Sequence, residues 1–163
     1  MNKKKCYIAL VILIIDQVLK GLVQTFELKY VIINNIFSIE YTTNTGAAFS
    51  ILKNHSTSLL VIGVITLILA YSLSYSYKEN KLNDFLFGLL YAGIIGNIID
   101  RVLFGYVRDF ISIGNFPVFN IADICIVVSI IMLTIVAIKN DVSNKKVSDK
   151  NEDNSRREHN KNW

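Results

Sequence analysis

Four apolar stretches, at about 6–26, 58–77, 85–104 and 121–139, leave this chain few ways to fold. The hydrocarbon core of a bilayer is crossed by about 20 apolar residues of helix, and each stretch is close to that length. Inside lipid, every backbone N–H and C=O must be satisfied within its own helix or within a closed barrel. The runs are continuously apolar rather than alternating, so they predict a membrane all-α bundle of four transmembrane helices. Composition agrees. Of the 163 residues, 52% are hydrophobic and only 18% charged, against about 25% charged in a soluble domain.

Charge placement predicts the topology. Lys3-Lys4-Lys5 precedes the first run, Lys78 and Lys81 follow the second, and the residues after Lys139 are rich in Lys and Arg. Positive residues collect on the cytoplasmic side, so both termini and the short loop at 78–81 are expected there. The net charge of +4 lies in these segments; it reflects orientation and argues against a nucleic-acid partner. The first run begins like a signal peptide, but no small-residue cleavage site follows, and Asp16 and Lys20 interrupt it. Residues 27–56 then lie outside. Tyr30–Ile33 and Ile36–Tyr41 are β-branched or alternating, with Asn34-Asn35 between them, so a small extracytoplasmic β element is expected. Its extended edge offers strand addition to a peptide. Residues 1–139 form the membrane domain, and 140–163 form a polar tail whose composition predicts disorder. Cys6 and Cys125 fall in different spans, which disfavours a disulfide. His55 and His159 are isolated, and no metal-ligand spacing appears.

Within this apolar frame, residues 93–123 carry Asn97, Asp100, Arg101, Asp109, Asn120 and Asp123. A charge at bilayer depth costs about 2.5–3.5 kcal/mol on insertion scales. Such a cluster must satisfy itself or do chemistry. Gly114-Asn115, between Phe110–Ile113 and Phe116–Phe119, suits a type II′ hairpin turn. Pairing Ile113 with Phe116 would put Ile111 opposite Val118 and Asp109 opposite Asn120. Asp123 follows one helical turn later, so two carboxyls converge. They cannot both ionise easily, and one protonated and one charged carboxyl sharing a water make an acid/base pair for hydrolysis. Asn120 is placed to cap the last helix, whose dipole favours the anion of Asp123. Asp16 and Lys20 are four apart and form a pair that either anchors the first helix or supports the site. Gln17 can bond to a neighbouring helix, and Gly93 and Gly96 allow a close helix contact. Arg101 has three candidate partners: Asp100, Asp109 or a lipid phosphate. Asn44 and Gly46 lie in a small-residue segment, 44–50, that permits close backbone approach.

Asp16-Gln17 with Lys20, NTGAAFS at 44–50, GNIIDR at 96–101, Gly105 with Val107, Asp109-Phe110, and FNIAD at 119–123 resemble, in order, the motif boxes of the lipoprotein signal peptidase (signal peptidase II) family. The resemblance implies a bacterial aspartyl endopeptidase of the cell membrane, with its active site near the extracytoplasmic face. The substrate would be a diacylglyceryl-modified prolipoprotein, cut before the lipidated cysteine. By motif, Asp109 and Asp123 would be the catalytic pair. Asn44, Gly46, Asn97, Asp100, Arg101, Asn120, Asp16 and Lys20 would be binding or supporting residues. No metal or organic cofactor is implied. Membrane lipids are implied partners, and globomycin-type cyclic peptides are implied inhibitors. Arg108, Ile124 and Leu19 depart from the family's usual residues. The alternative reading is a small transporter or proton-pathway protein using intramembrane carboxylates; a third is a non-catalytic scaffold.

Overall fold

The computed structural model describes residues 3–46 and 56–161, with side chains to residue 146. Ala47–Ser50, the end of the small-residue segment, and His55 lie outside the described residues. The elements are α1 (Lys3–Thr25), β1 (Lys29–Ile33), β2 (Phe37–Asn44), α2 (Ser56–Ser74), α3 (Lys81–Phe104), β3 (Val107–Ile113) and α4 (Ile121–Lys161). Among the described residues, four helices are long and apolar enough to cross a membrane.

α1 is built inside out. Tyr7, Leu10, Ile14, Val18 and Leu22 are exposed at three- and four-residue intervals, a stripe suited to lipid. Its buried residues include Lys5, Asp16 and Lys20. What they face is α3, the most buried of the spans. Lys5 meets Asp84 at 3.7 Å, and Gln17 Nε2 donates to the Gly96 carbonyl at 3.2 Å. Lys20 lies 3.4 Å from Asp100. The offset between partners is nearly constant, so α1 and α3 run parallel. α2 packs on α3 at Gly63, where an added Cβ would lie 3.1 Å from Ile98. The start of α4 seats against Gly93, where a Cβ would come within 2.5 Å of the Ala122 carbonyl oxygen.

The helix ends follow local signals. α3 begins at Lys81, a turn before the expected start near 85, because the Asn80 side chain accepts from the Asn83 N–H at its N-terminus. It closes at Gly105, whose φ of 77° is left-handed and whose N–H bonds to the Arg101 carbonyl. α2 stops at Ser74, short of the expected 77. The Ser74 hydroxyl bonds back to the Tyr71 carbonyl there, and Tyr77 turns edge-on to Phe87.

Two expectations need correction. β1 and β2 form the expected hairpin, with Asn35 at φ 59° in the turn, but β3 joins them as the third strand of a β1-β2-β3 sheet. Thr42 pairs with Asp109. The turn at Gly114 does form: the Phe116 N–H bonds to the Ile113 carbonyl, and the φ of Gly114 is 51°. Ile111 then bridges Phe119, not Val118. Pro117 has no N–H to give a ladder, so the return strand gains one residue and shrinks to a single bridge. The second correction concerns the tail. The chain expected to be disordered from Asn140 continues as helix to Lys161. That stretch contains no Gly or Pro, so nothing in it breaks a helix already running through the span.

The chain divides into residues 1–129 and 130–163. The first unit holds the sheet, α1 to α3, the first turns of α4 and the polar cluster. The second is the rest of α4, in which Thr134 bonds back to the Ile130 carbonyl.

Candidate active site

β3 carries the centre of the site. Val107, Arg108, Asp109 and Phe110 are all buried, because both faces of the strand are covered. Successive side chains point to opposite faces. Asp109 therefore turns toward Asn44 and Asn120, while Arg108 turns toward α1 and α3.

Asp109 is 1% exposed. Its Oδ1 accepts from Asn120 Nδ2 at 2.6 Å, and its Oδ2 accepts from Asn44 Nδ2 at 2.8 Å. The orientation of Asn44 is fixed by its other end, since Oδ1 accepts from the Gly46 N–H at 2.9 Å. Asp123 sits in the first turn of α4. Its Oδ1 accepts from Asn97 Nδ2 at 2.7 Å, and its Oδ2 accepts from the Asn120 N–H at 3.2 Å. In return, Asn120 Oδ1 accepts from the Asp123 N–H at 2.9 Å. This is a reciprocal cap, and it explains locally why FNIAD folds as it does. Asn120 thus touches both carboxylates, one through its side chain and one through its backbone.

The carboxyl of Asp109 is pushed up to about 7, first by burial and then by the negative charge of Asp123. Hydrogen bonds from Asn44 and Asn120, and the positive charge of Lys20, pull it partly back. A carboxyl that holds its proton near neutrality can donate it to a reacting oxygen.

Behind the two carboxylates lies a buried set of charges. Lys20 Nζ is 2.9 Å from Asp16 and donates to Asn97 Oδ1 at 3.0 Å. Asp16 Oδ1 accepts from the Ala122 N–H at 3.0 Å, which ties α1 to the start of α4. Asp100 pairs with Arg108 at 2.7 Å, not with its neighbour Arg101. Arg101 instead donates to the carbonyls of Asn97, at 3.3 Å, and Gly46, at 3.5 Å. It reaches neither Asp100 nor Asp109 by a hydrogen bond.

In front lies a cavity of about 500 Å³. Asn44, Asn97, Arg101 and Asp123 supply its polar wall, and Phe116, Phe119, Ile124 and Val127 much of its apolar one. Such a cavity suits an apolar ligand with a polar group to be held at one end. Among the described residues, no three His, Cys, Asp or Glu side chains gather in a way that would hold a metal ion.

Asn44, Gly46, Asn97, Asp100, Arg101, Asp109, Asn120 and Asp123, with Asp16 and Lys20 behind them, meet here. Two others join them that the sequence reading does not place in the site. Arg108 stands there only as a departure from the family's usual residue, and Gln24 does not figure at all. Yet Gln24 lies seven residues after Gln17, on the same face of α1, and both accept from Arg108. That spacing is a usable signal.

A family described as Signal peptidase (SPase) II matches residues 8–139. The lipoprotein signal peptidase of Staphylococcus aureus (strain MRSA252) is 37% identical over 147 residues, covering 85% of this chain and 90% of that protein. That of Dehalococcoides mccartyi (strain 195) is 42% identical over 107 residues, covering 63% and 67%. A bacterial membrane enzyme solved by the in meso method at 2.3 Å superposes with a TM-score of 0.75 at 36% identity, covering 86% of this chain and 90% of that one.

Proposed function

The chain belongs to the signal peptidase II family, and from that premise we propose how its own residues do the family's work. It is a membrane-embedded peptidase of a bacterial family, and it removes signal peptides from prolipoproteins. In our reading, Asp109 and Asp123 are the catalytic pair of an aspartyl mechanism. The observation that carries this is the bracketing of Asn120 by the buried carboxylate of Asp109 and the half-buried carboxylate of Asp123, the latter on the cavity wall.

Asp109 holds the proton at rest, and Asp123, at the N-terminus of α4, is the base. Asp123 takes a proton from water, and the resulting hydroxide attacks the scissile carbonyl carbon. Asp109 gives its proton to the carbonyl oxygen. As the tetrahedral intermediate collapses, the leaving amine takes the proton held by Asp123, Asp109 recovers a proton from a hydroxyl of the intermediate, and the C–N bond breaks. Asn97 and Asn120 keep the carboxylates aimed, and Asn44 steadies Asp109. Arg101 and the Gly46 backbone frame the entry. Asp16, Lys20 and Asp100 support the site from behind.

The substrate in this reading carries a diacylglyceryl cysteine, and cleavage falls just before it. The apolar wall suits a substrate presented from lipid. We place the protein in the bacterial cell membrane with the site near the extracytoplasmic face and both termini in the cytoplasm. Globomycin-type peptides would compete for the same cavity. The transporter alternative is not favoured by the relatives, and the site's carboxylates crowd at one end of the helices, not along a path.

Purified Asp109→Asn and Asp123→Asn variants, assayed on a diacylglyceryl-modified prolipoprotein peptide in detergent, should each lose cleavage while still inserting into membranes and unfolding cooperatively. Near-normal processing by either would overturn the assignment.

A further inference from the structure

Arg108 is 5% exposed, yet both its backbone and its guanidinium are engaged in polar contacts behind the site. Asp100 grips it twice, with Oδ2 on its backbone N–H at 2.9 Å and Oδ1 on its Nη2 at 2.7 Å. Nη2 also donates to Gln17 Oε1 at 2.8 Å, and Nη1 to Gln24 Oε1 at 3.2 Å. The guanidinium lies over the Phe104 ring, 4.5 Å from its centre. Only a planar fork can serve a carboxylate, two amides and a ring face at once. The residue does not line the cavity.

Charge balance adds a second line of argument. Asp16 and Asp100 face Lys20 and Arg108, two negatives and two positives, in a region closed to water. Asp100 is closer to Arg108, at 2.7 Å, than to Lys20, at 3.4 Å. Lys20 is thereby left to hold the oxygen of Asn97 at 3.0 Å, which turns the Asn97 amide nitrogen toward Asp123 at 2.7 Å.

We propose that Arg108 is a positioning residue for peptide cleavage: it pins the strand bearing Asp109 to α1 and α3, and by occupying Asp100 it frees Lys20 to orient Asn97 against Asp123. The proposal rests on the reading of Asp109 and Asp123 as the catalytic pair. The charged and titratable groups facing this region are Asp16 and Lys20 on α1, Tyr41 on β2, Asp100 and Arg101 on α3, Tyr106 before β3, Asp109 on β3, and Asp123 and Cys125 on α4.

The test compares Arg108→Met, Arg108→Lys and Gln17→Leu on the prolipoprotein peptide, across pH, with Asp109→Asn as control. Arg108→Met removes a positive charge behind the pair, which then keeps its proton longer. Its kcat should fall roughly 10- to 100-fold with KM little changed, and the alkaline limb of its pH profile should move up. Arg108→Lys keeps the charge but not the fork, so kcat falls while the limb stays. Gln17→Leu leaves the Asp100 pair intact and should lower kcat several-fold. If Arg108→Met does not fold, the other two carry the test. Wild-type kcat in both, or an unshifted limb in a folded Arg108→Met, overturns the proposal. Activity in Asp109→Asn would instead refute the catalytic pair itself.

Discussion

Asp109 is a carboxyl whose native surroundings favour its protonated form, and this has consequences beyond catalysis. Its value of about 7 in the folded protein stands above the ordinary 3.8, so the native state holds this proton more tightly than the unfolded state does. The resulting stabilisation is complete below about pH 4 and is lost as pH rises through about 7. Asp109→Asn should therefore melt with a flatter pH dependence than the wild type between about pH 5 and 8. Cleavage should decline above about pH 7, as the pair loses its shared proton. Asn44→Ala removes a bond that favours the charged form of Asp109 and should push that decline to higher pH, which a kcat/KM profile would reveal. The two aspartates stand out in the sequence, since an acid in an apolar frame must be paired or reactive. Asp100 and the Gln17–Gln24 spacing can be seen one by one, but not as the partners of Arg108. They come from α1 and α3, 91 and 8 residues away along the chain, and no local pattern encodes that convergence.

Among the elements, α3 is the most legible in the sequence and β3 the least. The small residues of α3 announce close packing, and the contacts follow. A Cβ at Gly96 would stand 2.7 Å from an Asp16 carboxylate oxygen, and one at Gly93 would meet the backbone of α4. Gly93→Ala should lower stability by about 1–3 kcal/mol, read as a drop in Tm, because the carbonyl it strikes cannot rotate away. β3 reads locally as half of a hairpin because its real partner, β2, lies more than 60 residues upstream and leaves no mark in the spacing. Turn chemistry at Gly114 is readable, but a turn fixes register only when the strand after it can donate, and Pro117 ends that.

Across the whole molecule, the site is complete within residues 3–129. Removal of residues 147–163 should leave cleavage of the prolipoprotein peptide unchanged, as measured by kcat/KM. The buried charges are the other property at this scale. Lys20→Met would strand Asp16 without its near cation, and breaking a buried pair in this way costs about 3–5 kcal/mol, so the variant should unfold at markedly lower temperature or fail to accumulate. The parallel register of α1 and α3 also bears on biogenesis. The nascent first helix enters lipid long before the ribosome has made Asp100, so during that interval Asp16 and Lys20 have only each other. Their spacing lets one span carry its own opposite charges through the translocon as a neutral couple, which Asp100 of the third span later joins.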